Sequence, residues 1–383
     1  MKRLSNDNII GSTGFIMVAN YFGGAFLFVS NIMLANKFGP QDFGYFKIII
    51  SLFSFLPMLI DFGIGVTVVR YVSEYYDSRV HPLIIKLLKI SLIIYIFFGI
   101  LLFLLKNQIA VYFLKSFSKV DLVLAGLALF FLIYFEIFKQ IVLGFREFSI
   151  YAYSQFLTFF FISACALSLG YKFGVYGAII GWAIGYLLGN ILCFMYFIKK
   201  RIWIENNNAI SANKVLREYS IPNYLMTMPS SLAAAVIPIL SLFFQQSLIG
   251  YLSFSMLFYQ GIVTMPNSFS SVLFTKFSQL ASKTNELKAI LVSSLAKYTK
   301  VAVSGIILSV LFSDKFIDIF FPIYSPSKYI FKSITIYAFL AGYFFIYRSY
   351  FSSIGKFKQL GLFAFLQNFG LLFIAGIALF FTK

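Results

Sequence analysis

Histidine, cysteine and acid are nearly missing from this chain: one His, two Cys and 13 Asp or Glu against 31 Lys or Arg in 383 residues. The single histidine, His81, precedes Pro82 in a polar connection and reads as a surface residue, which leaves no ligand set for a transition metal. Cys165 and Cys193 both fall inside apolar runs, so neither a disulfide framework nor a CxxC redox pair is on offer. HExxH, P-loop, strand-borne GxGxxG and GxSxG motifs are absent, and with them the usual seats of metal, nucleotide and acyl-transfer chemistry. No catalytic residue, metal or cofactor is expected. Charge itself is scarce, at 11% beside 60% hydrophobic residues and a mean hydropathy of +0.88. A soluble domain of this length does not tolerate that balance, so the class is polytopic α-helical membrane protein.

What is present is a series of apolar runs, at 11–35, 43–67, 84–105, 121–143, 152–170, 174–198, 219–243, 248–274, 295–313, 329–351 and 360–381. These are eleven segments, each near the ~20 residues that a bilayer crossing requires. "MKRLSNDN" leads into a run longer than a signal core and without an A-x-A site, which reads as an uncleaved first helix. The net charge of +18 does not point to nucleic acid, because it follows the spans. Setting aside Lys47, Lys139 and Arg348 as intramembrane, a cytoplasmic N-terminus puts 19 basic residues inside and 9 outside. The positive-inside rule therefore favours that orientation, with membrane lipids as the partner of the excess charge.

The chain also repeats itself. "FGYFKI" (43–48) is similar to "IGYLSF" (249–254), an offset of 206 that also pairs Asp61 with Asn267 and Gly99 with Gly305. "REFSIYAYSQFL" (146–157) pairs with "GKFKQLGLFAFL" (355–366) at an offset of 209, which matches Lys139 with Arg348. Six crossings return a chain to its starting side, so the copies are expected to be parallel, with a site between the halves. The expected organisation is an N-terminal lobe at 1–198, a cytoplasmic linker at 199–214 and a C-terminal lobe at 215–383. The second copy pairs only with helices one to five of the first, so a twelfth helix is expected to be missing.

"LANKFGPQDFGYFKI", "LIDFGIGVTVVRYVSE" and "GVYGAIIGWAIGYLLG" resemble the first lobe of the polysaccharide exporters of the MOP (MATE-like) superfamily, closest to O-antigen (Wzx-type) flippases. The resemblance covers the whole chain and is strongest over 30–200. It implies an all-α fold of two pseudo-symmetric lobes in the bacterial cytoplasmic (inner) membrane. The implied activity is flipping of an undecaprenyl-pyrophosphate-linked oligosaccharide by alternating access. It also implies a lipid-linked sugar substrate, possible partners among polysaccharide-assembly proteins, and no enzyme activity. Two alternatives stay open: a MATE-like cation-coupled drug exporter, and a polytopic enzyme of glycan assembly such as a polymerase or glycosyltransferase.

Helical periodicity places Thr13, Asn20, Gly24 and Asn31 on one stripe of the first helix. Ser54, Asp61 and Gly65 share a stripe of the second, Thr227 and Ser231 one of the seventh, and Gln260, Thr264, Asn267 and Ser271 one of the eighth. Asn20, Asn31, Gln260 and Asn267 are therefore expected to line a polar cavity. A charge at mid-bilayer costs at least ~2.5 kcal/mol and normally faces protein or water. Glu136 and Lys139 could neutralise one another at i,i+3. Arg348 has only Phe344, Phe345, Phe351 and Ser352 at i±3 and i±4. The expectation is that Arg348 and Lys139 both face the cavity and hold the pyrophosphate, Arg by its planar fork and Lys as a point charge. Asp61 and Glu136 are candidates for coupling to H⁺ or Na⁺.

Overall fold

The computed structural model describes residues 6–75, 80–200, 212–279, 284–354 and 356–382. Among them it is helical throughout: α1 (Asn6–Ile60), α2 (Ile64–Tyr75), α3 (His81–Leu104), α4 (Lys106–Leu114), α5 (Val120–Ile133), α6 (Glu136–Gly144), α7 (Phe148–Lys199), α8 (Ala212–Val215), α9 (Ile221–Ser241), α10 (Gln246–Gln279), α11 (Thr284–Phe320), α12 (Lys328–Ser353) and α13 (Phe357–Thr382).

Among the described residues, seven helical stretches are long and apolar enough to cross a bilayer. Two of these do so twice. α1 and α7 contain 55 and 52 residues, or about 80 Å at 1.5 Å per residue, against a hydrocarbon core of about 30 Å. Each folds over at a glycine in a non-helical conformation, Gly39 (φ 70°, ψ 175°) and Gly174 (φ 64°, ψ −149°), where a side chain would strain the backbone. α9 and α11, of 21 and 37 residues, also have the length of a crossing. The eleven expected spans are thus accounted for, and the protein is a multi-pass membrane protein. His81 is only half-exposed: it opens α3 and sets its ring edge-on against Phe145.

The chain forms two compact units: Met1–Lys37 with Ile49–Leu225, and Phe38–Ile48 with Met226–Lys383. Most of the linker expected at 199–214 lies outside the described residues. Residues 212–225 group with the first unit, and the corner at 38–48 groups with the second.

Corresponding contacts recur inside the two units. In the first, a side chain on Gly99 would run into the Phe131 ring; in the second, one on Gly305 would run into Phe339. Tyr134 donates to the Leu88 carbonyl at 3.0 Å, and its counterpart Tyr343 to the Thr299 hydroxyl at 2.9 Å. The glycines, the phenylalanines and the tyrosines of these pairs keep the 206–209 offsets of the sequence, so the repeat is one of structure. "GVYGAIIGWAIGYLLG" is used for packing. Gly177, Gly181, Gly185 and Gly189, spaced by four, face the backbone of Leu169, Cys165, Ile162 and Thr158 along the first arm of α7. Small residues in this pattern let membrane helices approach backbone to backbone.

Candidate functional site

The second crossing is broken at Asp61–Gly63, between α1 and α2, where Phe62 (φ 47°) and Gly63 (φ 75°) leave the helical region. A break inside a bilayer frees carbonyls that find no water there and must be satisfied internally. Tyr224 donates its hydroxyl to the Leu59 carbonyl at 2.8 Å, and Ser220 donates to the Phe62 carbonyl at 2.7 Å. Ser220 ends a π-helical turn, Leu216–Ser220, that leads into α9. Asp61 accepts the Gly65 N–H at 3.3 Å, anchoring the start of α2. The stripe of Ser54, Asp61 and Gly65 expected on a continuous helix is therefore corrected: the break falls between Ser54 and Gly65, and Asp61 serves the local backbone.

The fourth crossing is interrupted as well, at Tyr134–Phe135 between α5 and α6. Glu136 opens α6, and its carboxylate meets the Lys139 ammonium at 3.0 Å. Lys139 donates a second hydrogen bond to Gln155 Oε1 of α7 at 3.1 Å. Its side chain is 3% exposed and that of Glu136 43%. Lys139 was expected to face water, and here the structure corrects the expectation. The ammonium is buried and held by an acid and an amide, which offset part of its desolvation. Asn31 is corrected too. It is 2% exposed and donates to the Leu27 carbonyl of its own helix at 2.7 Å, whereas Asn20 is exposed.

The second unit treats its cation differently. A cavity of about 390 Å³ is lined by Arg348, Asn267, Ser270, Ser349, Ser352 and Phe345 among others. Ser349 and Ser270 bind each other, hydroxyl to carbonyl, at 2.8 Å. Arg348, Asn267 and Ser352 bring donors to the cavity. Arg348 Nη1 reaches Gln367 Oε1 of α13 at 3.2 Å, and the guanidinium lies 5.8 Å from the centre of the Phe345 ring. Gln260, Thr264 and Asn267 are all exposed along α10. A polar exposed face on a membrane helix implies water beside it rather than lipid. The side chains of Thr13, Thr227, Ser231 and Ser271 lie outside the described ones.

Sequence reading missed the two glutamines. In each unit the cation of the fourth repeat helix hydrogen-bonds a glutamine of the fifth: Lys139 with Gln155, Arg348 with Gln367. The repeat alignment pairs Gln155 with Ala364, so Gln367 sits three residues on, about one helical turn along the same face. That displacement hid the correspondence. Gln367 is 4% exposed, and its backbone carbonyl accepts the Tyr337 hydroxyl, which ties this turn of α13 to α12.

Comparison with known proteins places this geometry. The family of polysaccharide biosynthesis proteins matches residues 9–222, more than half of the chain. The chain belongs to that family. The lipid II flippase MurJ in an inward closed conformation is similar in fold, with a TM-score of 0.73 at 17% identity, over 96% of this chain and 85% of that one. A multidrug MATE transporter of the MOP superfamily in an inward-facing conformation gives 0.69 at 12%, over 96% and 92%. A Vibrio cholerae MATE transporter mutant gives 0.58 at 12%, over 98% and 94%. No curated protein matches the sequence. The fold is the MurJ- and MATE-like fold.

Proposed function

We propose that the protein flips a lipid-linked oligosaccharide, an O-antigen or capsule repeat unit on undecaprenyl pyrophosphate, between the leaflets of the bacterial cytoplasmic membrane. The observation that carries this reading is the cavity holding Arg348, Asn267 and Ser352. A guanidinium beside neutral donors suits a phosphate, whose oxygens accept several N–H and O–H bonds at once. About 390 Å³ is room for a pyrophosphate and an adjoining sugar while the polyprenyl chain stays in lipid. A cationic drug would meet repulsion from Arg348, which disfavours multidrug export. Transport rather than glycan synthesis also agrees with the likeness of this chain's fold to that of the lipid II flippase MurJ.

Moving a negative headgroup outward is assisted by the membrane potential, by about 2.3 kcal/mol per charge per 100 mV. Asp61 and Glu136, at the two helix breaks of the first unit, remain the groups through which an ion could be coupled. The N-terminus is cytoplasmic in this reading. A cysteine at Ser118 should then label with an impermeant thiol reagent in intact cells, and one at Lys200 should not; the reverse pattern would invert the orientation. The functional test is complementation of a strain lacking its own O-antigen or capsule flippase. Restored surface glycan supports the proposal. Well-expressed protein that restores none across a panel of repeat units, yet confers resistance to cationic dyes, overturns it.

A further inference from the structure

In each unit the third repeat helix leads into a related turn, and the two turns are neutralised in different ways. At the offset of 209, "KSFSK" (115–119) corresponds to "YSPSK" (324–328), so that Ser116, Ser118 and Lys119 pair with Ser325, Ser327 and Lys328. Both are 3₁₀ turns, at Phe117–Lys119 and Pro322–Ser327, and both open the fourth repeat helix, α5 or α12.

In the second unit the turn grips an anion that the chain itself supplies. Asp318 accepts the Ser325 hydroxyl at 2.5 Å and the Lys328 ammonium at 2.6 Å. Lys328, and after it Ser325, hold the Asp318 carboxyl below the usual carboxylate range. One helical turn earlier, Asp314 meets Lys332 at 3.0 Å. In the first unit Leu105 and Ile109 stand at the positions of Asp314 and Asp318. The stretch 105–121 carries Lys106, Lys115 and Lys119 against a single acid, Asp121. Ser116 and Ser118 bring their hydroxyls together at 2.8 Å on the exposed side of the turn. The first turn thus keeps the serine and lysine that bind a carboxylate in its counterpart, with Ile109 where the counterpart has its acid.

The flanking side chains indicate the source of an anion. Leu104 at the end of α3, Tyr112 in α4 and Phe117 in the turn are 68%, 65% and 66% exposed. α4 buries Ile109, Ala110 and Leu114 and leaves Val111 and Tyr112 outside. Apolar and aromatic side chains left outside at the end of a membrane crossing meet the lipid boundary, where the phosphate headgroups lie. Lys106 Nζ stands 4.0 Å from the centre of the Phe103 ring, so cation and apolar surface share one patch.

We propose that the Lys115–Lys119 turn of the first unit binds the phosphodiester headgroup of an anionic phospholipid, in the place that the Asp318 carboxylate takes in the second unit. The Ser116 hydroxyl and the Lys119 ammonium donate to the phosphate oxygens, and Lys106 and Lys115 add attraction to the negative lipid surface. Tyr112 and Phe117 lie against the glycerol and the upper acyl chains. The site uses no residue of the Arg348 cavity and holds whatever substrate the protein carries.

The test is native mass spectrometry of the full-length protein in detergent micelles with added phosphatidylglycerol or phosphatidylcholine. Ser116→Ala with Lys119→Gln should lower phosphatidylglycerol retention several-fold and leave phosphatidylcholine retention unchanged. Asp318→Asn should raise phosphatidylglycerol retention, because it opens Ser325 and Lys328 to the same headgroup. Adding Ser325→Ala and Lys328→Gln to Asp318→Asn should cancel that rise. The second arm reads a gain, which misfolding does not mimic. Phosphatidylglycerol retention equal in wild type and in Ser116→Ala with Lys119→Gln overturns the proposal, as does a loss of both lipids alike. No gain in Asp318→Asn overturns the equivalence of the two turns on which the proposal stands. Displacement of the bound lipid by an equal concentration of inorganic phosphate would show a general phosphate site and would overturn the lipid assignment.

Discussion

Arg348→Ala should lower glycan export by roughly 10- to 100-fold while leaving the yield of monodisperse protein at or above that of the wild type. The size follows from losing one or two charge-assisted hydrogen bonds to an anion, at about 1.5–3 kcal/mol each. Yield is preserved because the guanidinium lines a cavity, and its removal relieves an insertion cost. Arg348→Lys should be intermediate, since an ammonium keeps the charge and loses the planar fork that Gln367 and Phe345 orient. The measurement is surface glycan beside detergent-extracted yield. Wild-type export by well-folded Arg348→Ala would remove Arg348 from the site.

The equivalent cation in the first unit should behave in the opposite manner. Glu136→Gln leaves the Lys139 ammonium, 3% exposed, with Gln155 as its remaining partner in the pair described. Breaking a buried pair costs about 3–5 kcal/mol, and the 43% exposure of Glu136 reduces this to about 2 kcal/mol. The folded yield and thermal midpoint of Glu136→Gln should fall. Lys139→Met should be near neutral, because it removes the buried charge and keeps the volume. Glu136→Gln with Lys139→Met should recover the stability lost in Glu136→Gln. A double variant no more stable than Glu136→Gln would show that the loss does not come from stranding the buried Lys139 ammonium.

The contrast shows where sequence reading reached and where it stopped. Hydropathy located the spans because a bilayer imposes one length on each of them. It missed the breaks at Asp61–Gly63 and Tyr134–Phe135, since a broken membrane helix keeps its composition and finds its missing partners far along the chain, as Leu59 and Phe62 do in Tyr224 and Ser220. The offsets near 206 exposed the repeat, and Gly99 with Phe131 and Gly305 with Phe339 realise it in packing. At the charged positions, the same symmetry suggested two alike cations facing one cavity. Lys139 and Arg348 have different neighbours, and a cation's surroundings depend on side chains that repeat alignment does not preserve. Glu136 has Phe345 at its corresponding position, and that single difference separates a buried pair from a cavity-lining guanidinium.

The central claim is that a pyrophosphate-linked glycolipid is carried across the membrane. Its most direct test is reconstitution of the purified protein in liposomes with a polyprenyl-pyrophosphate oligosaccharide enclosed in the inner leaflet. Exposure of the sugar is then followed with an external glycan-cleaving enzyme. The account predicts that wild-type protein brings the inner-leaflet pool within reach of the enzyme and that Arg348→Ala slows this by roughly 10- to 100-fold. Exposure no faster than in protein-free liposomes, across glycans of several repeat structures, would contradict it.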